Sequence, residues 1–176
     1  MYERKRSLIF VPFYFILVFF RAIFCLKRDL YRTLKGITGY YPNRFEIYEL
    51  AFLHKSASLV TNDGIVLNNE RLEFLGDSIL DAVVSDYLYH KFPKEHEGFL
   101  TQMRSKIVNG TKLNELAVST GIHNLVTTNV NNKRAKKHIY EDAFEAFIGA
   151  VYLDKGYNKT YKFIINTFFF FSILIK

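Results

Sequence analysis

A single cysteine, Cys25, stands in 176 residues, so no internal disulfide can form. Five scattered histidines supply no paired ligand spacing for a structural zinc, and a reducing compartment, the cytoplasm, is the expected setting. Tryptophan is absent, and three prolines and nine glycines are too few for a collagen-like or linker-dominated chain. An apolar fraction of 49% beside 23% charged residues excludes a disordered one. The length allows one sizeable core and falls short of two ordinary domains.

The net charge of +7 points to a nucleic-acid or membrane partner only if it is concentrated somewhere. It is concentrated at the start: residues 1–35 hold eight Lys/Arg against Glu3 and Asp29, which is +6. The rest is nearly neutral. An apolar run from Ser7 to Phe20, broken by Arg21 and resumed from Ala22 to Leu26, is short for a membrane span of about 20 residues and closer to a signal-peptide core. No small-residue cleavage pattern follows it. Residues 7–26 are therefore a candidate membrane contact, as an uncleaved anchor or interfacial helix; an apolar extension, or residues upstream of the true start codon, is the open alternative.

Further on, Leu30 and Leu34 predict a short amphipathic helix over Asp29 to Lys35, ended by Gly36. Phe45 to Leu53 carries a second helical stripe. The strongest helix is expected to begin at Glu70 with Asn69 as N-cap and to continue through Leu72, Leu75, Ile79, Leu80, Val83, Val84 and Tyr87. Helices over Phe99 to Val108 and Leu113 to Thr120 follow, then a polar loop over 127–138, then a last strong helix from about Tyr140 to Leu153. Apart from a few residues around Ile65 to Leu67, no alternating strand pattern is present, and the expected class is all-α.

Acidic residues mark two of these helices. Glu70, Glu73, Asp77 and Asp81 follow one another at three, four and four residues, which lines them along one stripe. Asp142 and Glu145 repeat the pattern within the apolar run Ala143 to Val151. A buried, unpaired carboxylate is costly. Two largely buried helices with acids on one face point to divalent cations held by oxygen ligands, Mg²⁺ first; pairing with Arg71, Arg104 or Lys106, or a solvated face, is the competing reading. Gly76 and Gly149 are expected at close-packing positions. His54 is read as a hydrogen-bonded structural residue, and His138 as a phosphate neighbour or plain loop residue.

The segment Asn69-Glu70-Arg71-Leu72-Glu73-Phe74-Leu75-Gly76-Asp77-Ser78-Ile79-Leu80 resembles the signature of ribonuclease III. The resemblance extends to Leu50 to Ser56, Glu97 to Leu100, Arg104 to Val108 and Glu141 to Asp154, and covers roughly residues 29–165, in a form like that of Bacteroidetes. It implies an α-helical endonuclease domain that works as a homodimer and cuts double-stranded RNA in rRNA and mRNA processing, leaving 5′-phosphates and short 3′ overhangs. Carried over, Glu73, Asp77, Asp142 and Glu145 are the catalytic metal ligands for Mg²⁺, with Mn²⁺ as a substitute. Glu70 and Glu97 line the same valley and assist substrate processing, and Phe74 enters a socket on the partner subunit. Apart from the resemblance, the basic loop immediately before Asp142 makes Lys133, Arg134, Lys136 and Lys137 the candidate RNA-binding residues at the valley's rim, with a merely solvated charged loop as the open alternative.

The expected organisation is an extension over 1–28, the nuclease domain over 29–165 and an apolar tail over 166–176. Eleven of the 18 phenylalanines lie in residues 10–24 and 163–171, so the aromatic excess belongs to the ends. The Phe168 to Phe171 run is expected to reflect a truncated or frameshifted reading frame in place of a double-stranded-RNA-binding domain, with a stand-alone nuclease domain as the alternative. A non-catalytic RNA-binding or ribosome-associated domain is the competing function, and a membrane-associated protein a third.

Overall fold

The computed structural model describes residues 28–174, without the side chains of 133–135 and 169–174. The candidate membrane run over residues 7–26 lies outside them. Among the described residues no helix is long and apolar enough to cross a membrane. The chain divides into two units between Pro42 and Asn43.

In the first unit, residues 28–38 are helical (α1). Gly36, the expected stop, lies inside this helix. The stop is Gly39, at φ +79°, whose N–H donates to the Lys35 carbonyl at 2.8 Å. A left-handed C-terminal residue costs glycine little, and glycine takes that position here.

The second unit is built on two long helices, α3 (Glu70–Lys91) and α6 (Lys133–Lys155), which form its most extensive helix pair. Around them stand α2 (Phe45–Ala51), α4 (Glu97–Ile107), α5 (Gly110–Ser119) and α7 (Tyr157–Leu174). The all-α class holds, with one small addition: β1 (Leu59–Val60) pairs antiparallel with β2 (Val66–Leu67), where the sequence showed only a hint of strand.

Helix α6 is the centre because it is apolar on nearly every side. Ala143, Phe144, Ala146, Phe147, Ile148, Ala150 and Val151 are fully buried. The Phe147 ring stacks on Phe52 at 5.7 Å, tilts against Tyr48 at 5.9 Å and meets Phe163 of α7 edge-on at 5.7 Å. Each of the Phe, Ile and Val side chains among them contributes about 1.5–3 kcal/mol on burial, enough to hold a helix that also carries acids. Helix α3 faces it with Leu72, Leu80, Val83, Val84 and Leu88.

Other expectations change as well. Helix α6 begins at Lys133, so Lys133, Arg134, Lys136 and Lys137 occupy its first turns and not a loop. Helix α7 follows α6 directly, although the sequence pointed to α6 as the last strong helix. Its run of aromatics has no polar face from which to read a period, and the expected domain end at 165 falls within it. Asn69 stands at the N-cap of α3 but makes no side-chain cap. Asn68 does that work, its Oδ1 accepting the Glu70 N–H at 3.1 Å, while the amide of Asn69 is buried without a partner among the described residues.

The caps of α4 and α5 explain why both start earlier than expected: His96 accepts from the Phe99 N–H and Asn109 from the Lys112 N–H, at 3.2 and 3.0 Å. Helix α2 has no cap of its own. Asp154, near the end of α6, supplies it, accepting the N–H groups of Asn43 and Arg44 at 3.1 Å and the Tyr48 hydroxyl at 2.9 Å. Burial alone would raise the Asp154 carboxyl, but these hydrogen bonds and the Lys155 ammonium at 3.1 Å hold it below the usual carboxylate range.

Helices α3 and α6 touch through glycine. A Cβ on Gly76 would overlap the Glu145 carbonyl oxygen, and one on Gly149 the Leu72 carbonyl oxygen. Because backbone and not a side-chain tip would have to move, Gly76→Ala is expected to destabilise the protein by roughly 1–3 kcal/mol, despite a gain of about 1 kcal/mol in helix propensity. Urea unfolding checks this, and an unchanged midpoint would contradict the close packing.

Candidate metal and active site

Glu73 and Asp77 sit on the face of α3 that Gly76 brings against α6, one turn before and one residue after it. Asp142 and Glu145 stand on α6 at the same contact. Asp77 is exposed and the other three are half-buried. None of the four makes an ion pair with a basic side chain among the described residues; the pairs there are Arg44–Glu46, Lys55–Glu70, His90–Asp86, Lys112–Glu115, His138–Glu141 and Lys155–Asp154. The competing reading, acids neutralised by Arg71, Arg104 or Lys106, is therefore not what the fold adopts; Arg104 donates instead to the Ser85 hydroxyl at 3.0 Å.

Unpaired acids in one place resist ionisation together. Burial, then the charges of Asp142, Glu70 and Asp77, push the Glu73 carboxyl up to about 7. Burial, then Asp77, Glu141, Glu73 and Asp142, push Glu145 up to about 8. Asp77 is raised by burial and by Asp81. Asp142 is raised by burial and by Glu141, against the opposing charges of His54, Lys55 and His138. The mutual influence across the two helices joins the four acids in one electrostatic cluster.

Such a cluster offers only hard oxygen donors and an uncompensated negative field, which fits divalent cations such as Mg²⁺. In the rotamers adopted, no three acidic, histidine or cysteine side chains among the described residues converge on one ion position. The fit thus lies in the donor chemistry and the shared field, with side-chain torsions left to close the shell.

The other candidate residues are placed differently. Glu70 is beside the cluster, 3.5 Å from the Lys55 ammonium, and adds to the field on Glu73. Glu97 lies in a groove between α3 and α4 with Ser85, Asp86, Tyr89 and Arg104, accepts the Thr101 hydroxyl at 2.7 Å, and is not among the charges that act on the four acids. Phe74 is 78% exposed, on the same helix as Glu73 and Asp77. Lys136 is half-buried and Lys137 exposed on the first turns of α6; the side chains of Lys133 and Arg134 lie outside the described ones. His138 is 3.3 Å from Glu141.

Sequence reasoning missed Lys55, whose charge acts on both Glu73 and Asp142, and Glu141, which reaches the start of α5 where a Cβ on Gly110 would meet its carboxylate. Both were visible only as neighbours of His54 and Asp142. It also gave no role to the hairpin residues Leu59, Val60, Ile65 and Val66, all more than half exposed.

Residues 45–170 match the family model described as Ribonuclease-III-like. Ribonuclease 3 of Bacteroides thetaiotaomicron is 47% identical over 144 residues, 82% of this chain and 46% of that protein. Ribonuclease 3 of Azobacteroides pseudotrichonymphae is 46% identical over 159 residues, 88% of this chain and 60% of its own length. The chain thus spans about half the length of the curated relatives it matches. Among solved structures, the nuclease domain of ribonuclease III from Campylobacter jejuni, described as flexible in a region involved in dimer formation, superposes with a TM-score of 0.68 at 34% identity, covering 77% of this chain and 94% of that one. Dicer from Pichia stipitis gives 0.56 at 29%, covering 78% and 61%.

The raised carboxyls tie stability to pH. An unfolded glutamate titrates near about 4.3, and the folded values are about 7 for Glu73 and about 8 for Glu145. Between these limits the folded state binds more protons. Their contribution is therefore fully present below about pH 4.3 and is lost as pH rises through 7 to 8. In chelator-treated protein at pH 8, Glu145→Gln is expected to raise Tm by about 2–4 °C, equivalent to about 1 kcal/mol after allowance for the solvent that reaches a half-buried group. An unchanged or lower Tm would show that Glu145 bears no electrostatic strain.

Proposed function

Because the chain belongs to the ribonuclease-III-like family, we propose that it is a divalent-metal-dependent endoribonuclease acting on double-stranded RNA in the cytoplasm, in rRNA and mRNA processing. The observation that carries this reading is the unneutralised set of four carboxylates on two helices in backbone contact. Glu73, Asp77, Asp142 and Glu145 would hold Mg²⁺, or Mn²⁺ in its place. When bound, the metal supplies an activated water and stabilises charge on the leaving 3′ oxygen.

The protein's own part is placement. Glycine contact between α3 and α6 fixes the acids on one face, and the half-buried positions of Glu73, Asp142 and Glu145 limit the water that screens their field. Glu70 extends that field and is proposed, with Glu97, to assist substrate processing. Lys133, Arg134, Lys136 and Lys137, at the start of the helix that carries Asp142, are proposed to offset phosphate charge. Products would carry 5′-phosphates and short 3′ overhangs.

A non-catalytic RNA-binding domain on this fold is the competing reading, and the presence of all four acids favours the enzyme. Glu145→Gln separates them. Cleavage of a long RNA duplex in limiting Mg²⁺ is expected to fall by about 10²-fold or more, with circular dichroism and duplex binding retained. Cleavage at the wild-type rate would remove the metal assignment.

The protein is further proposed to work as a homodimer anchored by Phe74, whose exposed ring would be costly to leave in water beside an acidic stripe. Truncating an interface anchor costs about 2 kcal/mol, so Phe74→Ala should weaken self-association roughly 30-fold. Sedimentation velocity over a concentration series checks it, and a dimer of undiminished affinity would remove the anchor.

A further inference from the structure

His54, Ser56 and the segment over residues 127–130 form a polar cluster that the proposed chemistry does not use. The backbone of residues 53–54 lies between the approaches to both acid-bearing helices. On one side the Leu53 carbonyl accepts the Asn69 N–H at 2.8 Å, at the start of α3; on the other the His54 N–H donates to the Thr127 carbonyl at 3.1 Å, on the segment that enters α6. Side chains close the joint. Ser56 Oγ is 2.9 Å from His54 Nδ1 and 3.0 Å from Thr128 Oγ1, and accepts the Asn129 N–H at 3.1 Å. Asn129 Nδ2 donates to the Ser56 carbonyl at 2.9 Å, and Thr128 Oγ1 accepts the Val130 N–H at 3.1 Å.

The hydrogen bonds fix the tautomer of His54. The Ser56 N–H donates to His54 Nδ1 at 3.1 Å, so Nδ1 is an acceptor and the ring carries its proton on Nε2. The Ser56 hydroxyl, 2.9 Å from the same nitrogen and 3.0 Å from Thr128 Oγ1, either shares that lone pair as a second donor or donates to Thr128. His54 is only 6% exposed, and burial lowers its basicity, which keeps the ring in the neutral form this pattern needs.

We propose that Thr128, Ser56 and His54 act together as a positioning clamp that ties the entry of α6 to the entry of α3 and so sets the spacing of Asp142 and Glu145 against Glu73 and Asp77. This rests on the reading of those acids as metal ligands. The clamp touches neither cation nor substrate; it acts through the carboxylates, as the outer partners of metal sites do.

The test uses the full chain with Mn²⁺ as probe, by calorimetric titration, and the nitrogen signals of His54 by NMR at neutral pH. Wild type should show an unprotonated Nδ1 and a protonated Nε2. Ser56→Ala and Thr128→Val should bind Mn²⁺ about 10-fold more weakly, while Thr128→Ser and His54→Asn, which keep the hydroxyl and the acceptor at the Nδ1 position, should retain it. Asp154→Asn, which loosens the far end of α6, serves as a control: it should lose stability and keep its Mn²⁺ affinity. Wild-type affinity in Ser56→Ala and Thr128→Val, or a proton on Nδ1, would overturn the clamp. Failure of wild type itself to bind Mn²⁺ would instead sink the metal reading and the positioning role together, while the tautomer is still decided by NMR.

Discussion

The meeting of two helix backbones at Gly76 and Gly149 is the constraint on which the rest depends. A Cβ at either position would fall onto a carbonyl of the facing helix, so the approach exists only because neither residue has a side chain. Closeness of this order places Glu73 and Asp77 against Asp142 and Glu145. It also separates the interface into two characters. Apolar residues on the inner side, from Leu80 and Val83 to Phe144 and Phe147, are removed from water, and the gain from burying them offsets the cost of crowding acids on the other side.

The charges along these helices show where local preference has been overridden. Glu70 and Glu73 lie in the first turn of α3, where the helix dipole favours them. Helix α6 does the opposite: its first turn has no acid and begins with Lys133 and Arg134, at an end that disfavours cations by about 0.3–1 kcal/mol each. Neither those cations nor the raised carboxyls of Glu73 and Glu145 help the fold. Conflicts between local preference and global structure concentrate where a sequence serves a ligand, and here both lie on the helices that the proposed chemistry needs.

This pattern also explains what was legible beforehand. The acidic stripe of α3 and the Asp142 and Glu145 pair could be read because helical spacing alone puts them on one face, and Gly76 and Gly149 because glycine inside an apolar helix needs a reason. Asp154 could not be read as the cap of α2, since nothing in spacing links residues 44 and 154. The start of α6 was missed because Lys133 to Lys137 is a poor beginning for a helix, and α7 because Phe168 to Phe171 has no polar side. Glu97 could not be placed by helical spacing, since it lies on another helix: within one chain it stands in the groove with Arg104, apart from the four acids.

Helix α6 is tied to its surroundings at both ends. At its C-terminal end Asp154, inaccessible to solvent and paired with Lys155, binds the start of α2 through Asn43 and Arg44. Before its N-terminal end, Thr127 and Asn129 are bonded to residues 54 and 56. In between, Glu141 packs at the first turn of α5. An ion-paired carboxylate at one end and neutral hydroxyl and imidazole bonds at the other respond differently to acid. Protonating Asp154 would release α2, whereas the His54 and Ser56 joint fails only when the ring takes up a second proton against its burial. The acids between them can then change protonation without the helix that carries them changing place, which is what a site built from unpaired carboxylates requires of its scaffold.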